Sequence, residues 1–216
     1  MEPAADFASE SERVTRWLRD EILDGVRPPG SKLVERDLAT EIGVSRVPVR
    51  DALRTLVTEG LVTPRPRSWA VVREFTAADV ADLHEVRAAF EALTFRLAAQ
   101  RRTRDGLARL RAVLETELAA ARAGDLVRAR RAAADFHEVV TSLSANELLG
   151  ELERGLRSRL RWLLGQHDDL AAIAEQHAGL YAAIADRDVA RVERLVAEHL
   201  ATGAREATRL HPADDT

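Results

Sequence analysis

The ten residues VSRVPVRDAL, Val44 to Leu53, set Arg46 and Arg50 four positions apart among short apolar side chains. Residues four apart on a helix share one face. An arginine fork on such a face can donate twice to guanine O6 and N7, or clamp a phosphate. Ser45, Val47 and Val49 are small enough to let another backbone come close. Two arginines alone would also fit a solvated surface, so the elements that hold them carry the argument.

The first helix is expected from about Ser11 to Asp24, because Val14, Leu18 and Ile22 repeat at i, i+4 and i+8. Gly25 and then Pro28-Pro29-Gly30 end it. A short helix follows over about Val34 to Ile42, and Gly43 in EIGVS permits a sharp corner. Ser45 is placed to cap the next helix, about Val47 to Glu59. Pro48 is tolerated in its first turn, where no amide donor is needed, and Gly60 ends it. Leu61-Val62-Thr63 and Ala70-Val71-Val72 read as a hairpin with PRPRSW between them. Helix, helix, tight turn, helix, hairpin is the order of a winged helix-turn-helix, whose recognition helix enters the major groove N-terminal end first. The arginine pair then stands where DNA would be.

The chain has 216 residues, enough for one or two domains of about 100–200 residues each, with a core in each. The absence of cysteine excludes disulfides, thiolate chemistry and Cys-ligated zinc. No apolar run approaches the ~20 residues of a membrane span. MEPAADFASESE lacks the basic-then-apolar order of a signal peptide, so a soluble, cytoplasmic protein is expected. A net charge of −4 argues against a nonspecific nucleic-acid coat. Locally the balance reverses: from Val44 to Arg73, Arg46, Arg50, Arg54, Arg65, Arg67 and Arg73 face only Asp51 and Glu59.

After Phe75 the pattern changes. Thr76 and Asp79 form a T-x-x-D variant of the capping box. From there to about Leu210 the sequence predicts about six helices, with breaks near Arg102-Thr103, Gly124-Asp125, Ala145-Asn146, His167-Asp169 and Arg187-Asp188. The expected fold is mostly α: a winged helix-turn-helix over 1–75 and an all-α helical bundle over 76–216. The tail HPADDT is expected to fray.

The stretch GSKLVERDLATEIGVSRVPVRDALRTLVTEGLVTPRPRSWAVV, Gly30 to Val72, resembles the DNA-binding domain of the GntR family of transcription regulators. The resemblance implies DNA contacts from Arg36, Arg46 and Arg50, with Ser45 and Val47 helping at the helix start and Arg36 on phosphate. Where the family has glycine at the wing tip, this chain has Trp69, which could lie against a sugar or pack under the wing. Arg65 and Arg67 are expected to make phosphate contacts there.

The second half is similar to the FCD effector domain of FadR-like members. ADLHEVRAAFEALTFRLAA, ADFHEVVTSLSANELL and EQHAGLYAAIADRDVARVERLVAEHL carry the likeness. Many such domains hold a divalent metal through one Asp and three His. By position the histidines are His137, His177 and His199, and the metal would be zinc, nickel, iron or manganese. The Asp position is occupied by Ala133. Asp135 does not replace it, because two residues along a helix turn a side chain by some ~200°. Two readings stand open: a reduced site of three His completed by water or effector, or a metal-free pocket whose histidines bind the effector directly. Arg87 is expected either to pair with an effector carboxylate or to pair with Glu91 at i+4. Asn146 either caps the following helix or lines the pocket. His84, His167 and His211 are read as structural or exposed.

The function expected is that of a ligand-responsive regulator, a repressor that binds a pseudo-palindromic operator as a homodimer under control of a small organic acid. Two other classes stay open: a DNA-binding dimer whose bundle binds no metal or effector, and a hydrolase activating water on a three-His metal. No general base is placed by any motif, which weighs against an enzyme.

Overall fold

The structure is a computed structural model that describes residues 9–66 and 69–210. Arg67, His211 and the tail HPADDT lie outside the described residues. The chain divides into two compact units, Met1–Glu74 and Phe75–Thr216.

The first unit holds α1 (Glu10–Leu23), β1 (Lys32–Val34), α2 (Glu35–Ile42), α3 (Arg46–Glu59), β2 (Val62–Arg65) and β3 (Trp69–Val72). The stripe Val14, Leu18, Ile22 is buried as its spacing requires, and α1 packs on α3, whose own buried residues include Val49, Ala52 and Leu56. Gly43 closes α2 and Gly60 closes α3, both in the left-handed conformation that costs glycine nothing. Pro48 falls in the first turn of α3.

Three local expectations need correction. Lys32–Val34 is a strand, pairing antiparallel with β3, so the sheet runs β1-β3-β2. Three residues with only Leu33 inward give no period to read, and the pairing partner lies almost forty residues on. Ser45 occupies the N-cap position of α3, but its side chain makes no capping hydrogen bond. Trp69 is not at the wing tip: it opens β3, in register with Val34 and Arg65. It is half-buried, with the Lys32 ammonium 5.6 Å from its ring centroid.

The second unit is all helix among the described residues: α4 (Ala77–Arg101), α5 (Arg104–Ala123), α6 (Leu126–Leu143), α7 (Glu147–Leu164), α8 (Leu170–Asp186) and α9 (Val189–Leu210). Thr76 and Asp79 form the reciprocal capping box that starts α4. Side chains of Thr103, Asp125, Asn146 and Asp169 cap α5 to α8 in turn. The core is built from Phe95, Leu110, Phe136, Val140, Leu180, Ile184 and Val192. Gly106 lets α5 meet α6 closely, since a Cβ there would stand 2.3 Å from Leu143 Cδ2. Gly106→Ala is expected to destabilise the protein by about 1–3 kcal/mol through overpacking, read from the denaturant midpoint at unchanged slope.

Candidate nucleic-acid interface and effector site

The N-terminal end of α3 presents exposed side chains: Ser45, Arg46, Val47 (64 % exposed) and Arg50. Both arginines turn back onto one carboxylate, that of Glu35 at the start of α2. Arg50 donates from Nε to Glu35 Oε1 (3.0 Å) and from Nη2 to Oε2 (2.9 Å). Arg46 Nη2 donates to the same Oε2 at 3.1 Å. Glu35 is itself buried. The hydrogen bond from Arg50 holds its carboxyl below the usual range, against the opposing effect of burial and with help from Arg46. The two guanidinium groups are thereby fixed in direction while roughly half of each stays open to solvent. Arg36 lies on α2, mostly exposed, with Nε 3.0 Å from Asp37. Arg65 is exposed at the end of β2. Sequence reasoning missed Glu35, whose charge sits 11 and 15 residues before the arginines it orders.

In the second unit His137 on α6, His177 on α8 and His199 on α9 are all buried, and one ring nitrogen from each lies within 4.8 Å of the others. Ala133, also buried, is one turn before His137. Behind the rings stand polar partners. His177 Nδ1 faces both oxygens of Glu117 at 2.9 Å, and the ring stacks on Phe136 with centroids 4.4 Å apart. His199 Nδ1 lies 2.7 Å from Gln176 Oε1. Glu91 Oε1 is 3.0 Å from His137 Nδ1. For His177 and His199 the carboxylate or amide oxygen against Nδ1 favours the tautomer protonated there, which leaves Nε2 as the lone pair.

Arg87 is fully buried beside this cluster. It donates from Nε to Glu91 Oε1 (2.8 Å), the i+4 pair, and from Nη2 to His199 Nε2 (2.8 Å). Burial raises the Glu91 carboxyl, but the charge of Arg87 and the approach of His137 outweigh it and hold the group well below the usual range. Burial lowers His137 and lowers His199 far, so both imidazoles are neutral, the form in which they can accept or ligate.

Buried polar atoms without a hydrogen-bond partner concentrate here. They include Nη1 of Arg87, Oε2 of Glu91, both nitrogens of His137, Nε2 of His177 and Nε2 of His84. Native proteins leave few such atoms, so a cluster points to a missing ligand, ion or water. Three converging imidazoles, with Nε2 of His137 and His177 unpartnered, suit a divalent transition metal. The donation from Arg87 to His199 competes for one of the three lone pairs.

Of the remaining residues, Asn146 acts as the cap: its Oδ1 accepts from Leu149 N–H, and the cleft it lines contains none of the three histidines. His84 is half-buried, and burial with the charge of Arg87 lowers it to about 4. His167 is buried and paired through Nδ1 with Glu206. Gly203 keeps room for this group, since a Cβ there would lie 3.1 Å from Arg87 Nη1. A cavity of about 20 Å³ between α4, α6 and α7 reaches Glu91 and His137 and is walled by Phe90, Glu153, Arg157 and Arg161. It has room for little more than one water-sized group.

A winged helix-turn-helix with an exposed arginine pair, in a chain that also holds a helical unit with a buried histidine cluster, is the make-up of a DNA-binding transcription regulator. Residues 10–72 match "Bacterial regulatory proteins, gntR family" and residues 82–202 match "FCD domain". The chain belongs to the GntR family of transcription regulators and carries an FCD effector domain. It is 33 % identical to the Nta operon transcriptional regulator of Aminobacter aminovorans over 80 % of this chain and 82 % of that one. It is 27 % identical to the HTH-type transcriptional repressor RspR of Escherichia coli K12 over 88 % and 85 %. A crystal structure of a putative GntR regulator from Rhodococcus sp. RHA1 superposes with a TM-score of 0.79 at 26 % identity, covering 92 % of this chain and 98 % of that one. E. coli McbR/YncC shares the fold, with a TM-score of 0.83 over 94 % and 99 % at 23 % identity. These families and relatives are regulators, not enzymes. No helix among the described residues is long and apolar enough to cross a membrane.

Proposed function

We propose that this chain is a cytoplasmic repressor that binds a pseudo-palindromic operator as a homodimer and is controlled by a small carboxylate held in the helical unit. The observation that carries the DNA half is the exposed arginine pair on the first turns of α3, ordered by buried Glu35. Arg46 and Arg50 read base edges; Ser45, Val47, Arg36, Arg65 and Arg67 position the backbone. A relative named as a repressor supports the sign of regulation. Leu148 and Leu152, exposed one turn apart on α7, support a self-association face.

The effector half rests on Arg87. A fully buried guanidinium with an unpartnered Nη1, beside three histidines, is a ready acceptor site for a carboxylate. His137, His177 and His199 would hold a divalent metal, which would offer an open coordination position to the effector's oxygen. The small cavity that reaches Glu91 and His137 does not include Arg87, so an organic acid paired with Arg87 would need the helices around it to open. That differential is what lets an effector shift the equilibrium between two arrangements. The metal-free reading draws its support from Ala133 and from Arg87, which occupies His199 Nε2.

The test is elemental analysis of untagged protein purified without chelator, followed by thermal shift with a panel of small carboxylates. About one transition metal per chain, lost in His177→Ala, is expected. A carboxylate at 100 times its Kd should add about 2.7 kcal/mol of stability, and Arg87→Ala should abolish that gain. No shift with any carboxylate, with or without metal, would leave the bundle as a dimerisation unit only.

A further inference from the structure

We propose that Glu117 is the positioning residue that replaces the missing carboxylate ligand of the histidine cluster, acting one shell behind the metal through His177. The inference rests on the metal reading above. Ala133 offers only a methyl where a ligand would stand, so the three imidazoles bring no negative charge to a divalent ion. Glu117 is a carboxylate on α5, 1 % exposed, set into the stripe of Leu110, Leu114 and Ala120 that packs on the core. Among the described residues its only polar partner is His177, with both oxygens 2.9 Å from Nδ1. A buried carboxylate with a single imidazole partner is costly to desolvate and does nothing for packing that leucine would not do better.

Its geometry does have a consequence for the cluster. Accepting from Nδ1–H fixes the tautomer of His177, and stacking on Phe136 fixes the ring plane. Nε2, buried and unpartnered, is then held as a lone pair toward His137 and His199. A carboxylate behind an imidazole also makes the front nitrogen more basic. Charge points the same way. The buried charged groups beside the cluster are Arg87, Glu91, Glu117 and, in the cavity wall, Glu153, which is paired with Arg157. Arg87 and Glu91 already neutralise each other at 2.8 Å, so the charge available to attract a cation is that of Glu117.

Zinc alone is the probe, competed against a chromophoric chelator on the metal-stripped full chain. Wild-type protein is expected to take one zinc. Glu117→Gln, of the same shape without the charge, is expected to bind it 10–100-fold more weakly. Ala133→Asp added to Glu117→Gln should recover most of that loss, because it restores a carboxylate on a different helix. A purely structural Glu117 could not be rescued from α6. Glu117→Asp withdraws the carboxylate from Nδ1 and should also weaken zinc, which keeps the test open if the Gln variant misfolds. Equal zinc affinity in a folded Glu117 variant overturns this assignment alone. No zinc uptake by the wild-type chain overturns it together with the metal reading, while Arg87 and the carboxylate effector would stand.

Discussion

Arg50→Ala is expected to weaken binding to the operator by about 30-fold to 10⁴-fold. A good bidentate contact from arginine to a guanine edge is worth about 1–3 kcal/mol of discrimination. The homodimer proposed above would make it twice, so the substitution would remove about 2–6 kcal/mol. Arg46→Ala should act in the same direction with a smaller effect, since Arg46 is held by one hydrogen bond to Glu35 and Arg50 by two. Both losses should concentrate on the cognate sequence and steepen no further with salt. Glu35→Gln should behave differently. It leaves both arginines in place but frees them from a shared anchor, and it removes the buried negative charge that pairs with them. Affinity for random DNA should then hold or rise while the ratio of specific to nonspecific binding falls. Fluorescence anisotropy with operator and scrambled duplexes at two salt concentrations reads all three variants. Unchanged specific binding in both arginine variants would place the reading face elsewhere.

What the sequence made legible is what repeats over short distances. The apolar stripe of α1, the two glycine ends, Pro48 and the T-x-x-D box each lie within one or two helical turns, so element bounds and the six-helix count could be read directly. The three histidines were found by likeness to a family, and the fold brings them together from α6, α8 and α9. The groups that orient the functional side chains were not legible. Glu35 and Glu117 look like ordinary surface acids, and their partners lie 15 and 60 residues away. One local signal was available for Glu117: it interrupts the apolar spacing of Leu110, Leu114 and Ala120 on a buried helix face. Glu91 interrupts the buried face of α4 in the same way. A charge on the inward stripe of a helix is the mark of a partner that sequence spacing cannot name.

Buried histidines of the helical unit make the metal-free protein acid-labile. His137, His167 and His199 are all held below the usual imidazole range, with burial the largest cause in each, and His84 is lowered to about 4. A base depressed in the fold stays neutral there while the unfolded chain takes up a proton below about pH 6.5. The unfolded state therefore binds more protons, and stability is full above that pH and falls as the pH drops toward the folded values. A histidine that stays neutral in the fold over the whole fall from about pH 7.5 to 5.5 removes about 1.4 kcal/mol, and one that protonates within it removes less. The losses add in sign, so the melting temperature is expected to fall as the pH drops from about 7.5 to 5.5. His84, half-exposed, adds less. Glu91, held low by Arg87, pushes the same way only at more acid pH, as it protonates. Calorimetry across that range checks the slope. A melting temperature that stays flat from 7.5 to 5.5 would mean that His137, His167 and His199 are not held below the usual range in the fold. Bound zinc should raise stability at pH 7.5 and lose that gain faster than the metal-free protein loses its own, because protons compete with the metal for the same Nε2 atoms. A gap between the metal-bound and metal-free curves that closes on acidification would therefore tie the three histidines to the metal with no DNA or effector in the experiment.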